Sequence, residues 1–303
     1  PDLIYSWVLC EFIDRSCPKA ERRWLTSMDP ERIPVIAGVG QTINRPKTME
    51  ELREPADLMA ASIRRAAEAA GAEGAVAEID MLGVVNILSW YYEDPPARVA
   101  ERIGAEPGIG WYTGVGACAP QWLIGQAAQK IAAGEVKIAV ICGAESYASR
   151  SAARKCGERP PWKRESGTLD LVGDTRPAST PVEERHGLIV PSDVYALFEN
   201  ARRHEKGQTL EEHRQEIADL CAEMSRVAAK NPYAWFRQER SAEDFRTISD
   251  RNRMVAFPYT KLMCSMIFTD QSSAVLMMSL AEAGRRKIPE ERYVYPVGFG
   301  EAY

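Results

Sequence analysis

The residues best placed for chemistry are those around Cys118, in Gly114-Val-Gly-Ala-Cys-Ala-Pro-Gln121. The cysteine stands just ahead of Pro120, and a proline suits the first turn of a helix, where no N–H is required of it. A helix start carries a partial positive charge of about half a unit and free N–H groups, which favour a thiolate and can hold an oxyanion. Small neighbours leave room for an approaching thioester. A cysteine among small residues is, however, more often packed as a small apolar side chain, so spacing alone leaves both readings open.

Other residue types are less pointed. Arg150, Arg154, Lys155, Arg159, Lys163 and Arg164 crowd a span whose one acid is Glu158, and such a patch suits a phosphate-bearing ligand or simply a solvated loop. Arg202 and Arg203 form a smaller pair, and His186 reads most simply as an exposed or structural histidine. Cys142 ends an apolar run and Cys264 lies in another, so both are expected in the core, with Trp111 and Tyr112 as packing residues. The seven cysteines are too few for a disulfide framework, none shows CxxC spacing, and the three histidines form no ligand cluster, so no metal is expected.

Positioning Cys118 requires a framework, and the apolar pattern supplies one. Ile33-Pro-Val-Ile-Ala-Gly-Val-Gly40 reads as a buried strand running into a loop. Pro55 and Gly71 bracket a helix, with Met59, Ile63, Ala66 and Ala70 on one face. A strand follows over Ile79 to Leu88, then a short helix over Pro95 to Ile103 and a strand and turn over Gly108 to Gly116. The Cys118 helix runs to Gly134, and Val136 to Cys142 is a further strand. This alternation predicts a mostly parallel sheet with helices on both faces. From Arg150 to Thr180 the composition predicts an irregular excursion. Helices then follow over Pro191 to Lys206 and from Thr209, whose spacing to Glu212 makes a capping box, to Lys230. Ile217, Leu220, Cys221, Met224 and Val227 give that second helix an apolar face. The sheet resumes at Ser273 to Met278, a short helix starts at Ala281, and Tyr293 to Gly300 reads as a new strand.

Bulk properties narrow the function classes. The chain has 303 residues, 45% of them hydrophobic, enough for a large core. A net charge of -5 gives no general attraction to nucleic acid or to an anionic membrane. No apolar run reaches the ~20 residues that span a bilayer, and a cytoplasmic location is expected. Residues 1–27 show no clean period, and Met28 is expected to be the natural start. Gly38-Val-Gly40 is followed by Gln-Thr-Ile-Asn in place of a third glycine opening a helix, which disfavours a dinucleotide fold.

The stretch from Gly116 through Ala132-Ala-Gly-Glu135 to Gly143-Ala-Glu145 resembles the nucleophile helix and following strand of the thiolase superfamily, particularly its sterol-carrier-protein thiolase and acetyl-CoA acetyltransferase branches. Val35 to Thr42, Asn231-Pro-Tyr-Ala-Trp235, Pro258-Tyr-Thr-Lys-Leu262 and Thr269-Asp-Gln-Ser-Ser-Ala-Val-Leu276 resemble further segments in the same order. The resemblance implies a layered α/β fold, with an extension over residues 1–30, an amino-terminal half over 31–148 and 241–290, a loop insertion over 149–240, and the start of the second half at 291–303. It implies an acyl-CoA C-acyltransferase with Cys118 as acyl acceptor and a coenzyme A thioester as substrate, without other cofactor. Arg154, Lys155 and Arg159 would meet the coenzyme's phosphates and Ser265 and Met266 its pantetheine arm. A homo-oligomer is expected, and a small OB-fold partner is the implied companion if the chemistry is altered. The Gly-His-Pro and Cys-x-Gly motifs of the family's second half do not occur, so this chain by itself is expected to be inactive. Ala117, Pro120-Gln121 and Gln271-Ser-Ser273 also depart from the family pattern.

Overall fold

The computed structural model describes residues 29–165, 167 and 169–301. Most of the expected amino-terminal extension, Cys10 and Cys17 included, lies outside the described residues, as do residues 302–303.

Six strands form one mixed sheet: β1 (Pro34–Asn44), β2 (Met81–Val84), β3 (Ile109–Thr113), β4 (Ile138–Ser146), β5 (Leu171–Val172) and β8 (Asp270–Ser279). Their order is β1-β8-β4-β2-β3-β5. The pairs β4/β2, β2/β3 and β3/β5 are parallel, while β8 runs antiparallel to both β1 and β4. The central strand β4 is apolar on both sides because both sides are covered: Ile138, Val140 and Cys142 join one core, and Ala139 and Ile141 the other.

Helices α1 (Pro55–Ala70) and α2 (Pro95–Ile103) cover the first face, and α3 (Ala119–Ala133) covers the second through Leu123, Ala127, Ala128 and Ile131. Each ends at a glycine in the left-handed region: Gly71 and Gly134 as the sequence punctuation predicts, and Gly104 likewise. The glycines of β1 serve packing rather than nucleotide binding. A Cβ on Gly38 would lie 2.2 Å from the Ala66 carbonyl oxygen, and one on Gly40 2.1 Å from that of Ser62, so α1 can rest directly on the strand backbone only where no side chain intervenes.

The insertion carries more order than its composition predicts. It opens with α4 (Tyr147–Lys155), and β5 then joins the main sheet beside β3. It continues through α5 (Pro181–Arg185), α6 (Pro191–Glu205) and α7 (Leu210–Lys230); past residue 240 follow α8 (Ala242–Arg246) and a small hairpin of β6 (Met254–Ala256) and β7 (Tyr259–Thr260). Thr209 and Glu212 make the expected capping box of α7. The face that α7 buries is not the one the apolar spacing marks: His213 and Ala218 are buried, whereas Leu220, Met224 and Val227 are 61%, 63% and 62% exposed. The helix packs along a narrow edge against α8 and the turn Lys261–Met263, which leaves the rest of its apolar stripe uncovered. Helix α9 (Leu280–Arg285) follows β8. Residues 293–300 form no strand; Val294 makes an isolated antiparallel bridge with Ile36 and the backbone then leaves the sheet edge.

Candidate functional site

Cys118 is the N-cap of α3, with φ -84° and ψ -10°, and its side chain is exposed and caps no backbone amide. It follows the carboxyl end of β3 by five residues, at the edge of the sheet where open α/β folds place ligands. The helix start is poorer in free donors than most. Ala119 N–H goes to the Gly116 carbonyl at 3.2 Å, Pro120 has no N–H, and Trp122 N–H returns to the Cys118 carbonyl at 3.0 Å.

The thiol lies on the wall of a cleft of about 610 Å³. Three pieces of chain meet there: the β3–α3 turn with Gly114 to Gly116, the stretch around β5 with residues 172–174 and 176–178, and residues 299–301. Gly114 lets the first two close together, since its N–H bonds the Val172 carbonyl at 3.2 Å and a Cβ would meet the Asp174 carbonyl oxygen at 2.4 Å. Trp122 forms the floor. Its ring stacks on Trp111 with centroids 5.9 Å apart at 27°, and its Nε1 donates to Glu301. Phe299 lies across α3 at Gly125, where a Cβ would fall 2.1 Å from the ring. Asp174 is clasped by Arg176, whose guanidinium donates to both carboxylate oxygens and holds the carboxyl down at about 2.

No histidine lines this cleft among the described residues. His186 and His204 are exposed in the insertion, and His213 is buried there with Nε2 3.0 Å from Glu199. The remaining described thiols are elsewhere. Burial pushes Cys142 far above the ordinary thiol range, in keeping with its core position. Cys264 is only half-buried, contrary to the core position expected of it, because it caps the surface turn Lys261–Met263; its Sγ approaches the Thr260 carbonyl at 3.4 Å.

The structure does not bring the other singled-out residues to the Cys118 cleft. Arg154 and Lys155 occupy the last turn of α4, Arg159 follows it, and all three are exposed and make no ion pair among the described residues. Within the same basic span, Arg150 donates to the Ser89 carbonyl at 3.0 Å and Lys163 pairs with Glu165 at 3.5 Å. Ser265 and Met266 are exposed just beyond the turn Lys261–Met263.

Two further clefts went unnoticed in the sequence. One of about 580 Å³ flanks the opposite side of the first turn of α3, where Pro120 and Ile124 meet Gln41, Asn86, Glu145, Asn231 and Gln271. Glu145 is fully engaged there, accepting the Leu88 and Ser89 amides at 2.8 and 2.7 Å, and Gln271 donates to the Tyr233 carbonyl at 3.0 Å. The departures at Pro120 and Gln271-Ser-Ser273 were the sequence signals for it. A larger cleft, about 690 Å³, lies at the far end of α3 around Gly134 and Lys137, remote from the thiol.

No family model matches the chain. Among solved structures it is similar to a monomeric SCP2-thiolase-like protein type 1 from Mycobacterium smegmatis, with a TM-score of 0.68 and 32% identity over 88% of this chain and 50% of that one. It is also similar to an Ltp2-ChsH2(DUF35) aldolase, with a TM-score of 0.58 and 22% identity, covering 86% of this chain and 59% of that one; at that identity the likeness speaks for the fold. Among curated proteins, the benzoylsuccinyl-CoA thiolase subunit BbsB of Thauera aromatica is 32% identical over 117 residues, 38% of this chain and 28% of that protein. The chain thus spans about half the length of the solved structures it matches.

Proposed function

The chain belongs to the thiolase superfamily, and from that premise we propose that it binds an acyl-CoA thioester and that Cys118 receives the acyl group. The observation that carries this reading is an exposed thiol at a helix start, opening on a cleft of about 610 Å³ at the carboxyl ends of parallel strands. In the proposed step the Cys118 Sγ attacks the thioester carbonyl carbon, the bond to the coenzyme A sulfur breaks, and the proton lost by Cys118 leaves with coenzyme A as its thiol. The products are an acyl-cysteine thioester and free coenzyme A. The later carbon–carbon step of a C-acyltransferase needs a second acid/base. Among the described residues the cleft offers Asp174, Arg176 and Glu301 for that role but no imidazole.

Arg154, Lys155 and Arg159 are proposed to meet the coenzyme's phosphates, supported by their lack of internal ion pairs. Ser265 and Met266, exposed just beyond the turn Lys261–Met263, are proposed to touch its pantetheine arm. Homo-oligomerisation is proposed with them. A cytoplasmic location is proposed as well; no described helix is long and apolar enough to cross a membrane.

The test is to incubate the protein with acetyl-CoA and longer acyl-CoAs, measure released thiol, and look for the acyl mass on the Cys118 peptide. An adduct that disappears in Cys118→Ala is expected. Binding without an adduct would favour a second reading, in which an altered subunit holds acyl-CoA and works with a small OB-fold partner. The sparse donors at the start of α3 favour that reading, and the curated relative BbsB is named as one subunit of a thiolase. Neither binding nor adduct would refute both.

A further inference from the structure

On the footing that Cys118 receives an acyl group, we propose that its cleft selects an acyl group carrying a planar ring system over a straight chain. The cleft has room for a ring beside the thiol. A cavity of about 150 Å³ already holds a benzene ring, and this cleft has about 610 Å³.

Shape then separates rings from chains. The indole of Trp122 is held in place by the stack on Trp111 and by the hydrogen bond from Nε1 to Glu301. Gly173 has φ +79°, and a Cβ on it would lie 3.4 Å from the six-membered ring of Trp122. Phe299 sits three residues along the same helix, at Gly125, so two aromatic rings line one side of the cleft. Val115, Val172, Pro177 and Ala178 add apolar lining, beside the polar Thr113 and Gln121. The charged residues present are engaged with one another or with the indole: Asp174 with Arg176, and Glu301 with Trp122. An indole fixed in place beside a second ring and apolar side chains favours flat groups, because aromatic pairs gain beyond the area they bury and a ring surrenders fewer rotamers than an alkyl chain.

The experiment compares equilibrium binding of acetyl-, octanoyl- and benzoyl-CoA and free coenzyme A to the protein by calorimetry. Octanoyl carries more aliphatic carbon than benzoyl, so hydrophobic burial by itself would rank it first. Benzoyl-CoA is expected to bind at least about threefold more tightly than octanoyl-CoA, and the preference is expected to vanish in Trp122→Leu. A second variant, Ala178→Phe, narrows the slot without touching α3 and should weaken benzoyl-CoA while sparing acetyl-CoA. Octanoyl-CoA binding as well as or better than benzoyl-CoA, or a ring preference that survives both variants, overturns the inference while leaving acyl-CoA binding intact. No acyl-CoA binding more tightly than free coenzyme A would overturn the underlying assignment of the cleft as well.

Discussion

Gly125 is the position where a single methyl group should reshape the Cys118 cleft without unfolding the protein. In Gly125→Ala the new Cβ would fall 2.1 Å from Phe299 Cδ2 and 2.3 Å from Cε2, where ordinary contact begins near 3.4 Å, so the ring must retreat by at least about 1.3 Å. Two energies oppose each other. Replacing glycine inside a helix stabilises it by up to about 1 kcal/mol. Displacing a phenylalanine ring that is only half-buried forfeits about half of the 1.5–3 kcal/mol that full burial would supply. Stability by urea denaturation should therefore stay within about 1 kcal/mol of wild type. The cleft should change far more, because residues 299–301 form one wall and Glu301 receives the Trp122 hydrogen bond. Acrylamide quenching of tryptophan fluorescence should rise in Gly125→Ala, and the rise should be absent in a Trp122→Phe background. A loss of about 3 kcal/mol or more, the upper range for overpacking a closed core, with quenching unchanged, would refute this reasoning: it would mean that the ring cannot leave and α3 is distorted instead.

Gly40→Ala should behave in the opposite manner, since its Cβ would meet the Ser62 carbonyl oxygen at 2.1 Å and the Ala66 nitrogen at 2.6 Å. That backbone cannot yield, and a loss of at least about 2 kcal/mol in urea denaturation is expected; a neutral result would contradict the close packing of α1 on β1. Asp270 is buried and accepts Ser149 N–H and Oγ–H at 2.9 and 2.6 Å and Asn44 Nδ2 at 3.0 Å, yet burial raises its carboxyl above the ordinary range. Between the ordinary and the raised value the folded state binds more protons than the unfolded one, so this group's contribution to stability falls as pH rises through that window. Against Asp270→Asn, the wild type should gain relative stability as pH is lowered through that window, and a pH-independent difference between the two would count against the burial argument.

Local features were legible where neighbours in sequence decide them. Pro55 and Gly71 bound α1, Pro120 and Gly134 bound α3, and Thr209 with Glu212 caps α7, because caps and breakers act over three or four residues. The apolar run of β4 announced a strand covered on both faces. Cys118 at a helix start was read from its distance to Pro120 alone.

What the sequence by itself determined is the main strands and helices outside the insertion, several of their caps and the placement of one cysteine at the head of a helix. Only tertiary structure decided what surrounds that cysteine. Trp122 and Glu301 are 179 positions apart, β5 had to cross to the edge of β3, and Phe299 reaches Gly125 only because residues beyond Val294 leave the sheet. The same holds for α7, whose exposed Leu220, Met224 and Val227 show that a periodic stripe marks a face able to be buried, not the neighbour that covers it. The physical reason is that hydrogen-bond periodicity and capping are satisfied within a few residues, whereas a cleft is made by surfaces whose meeting depends on loop closure and on which of several apolar faces wins a partner.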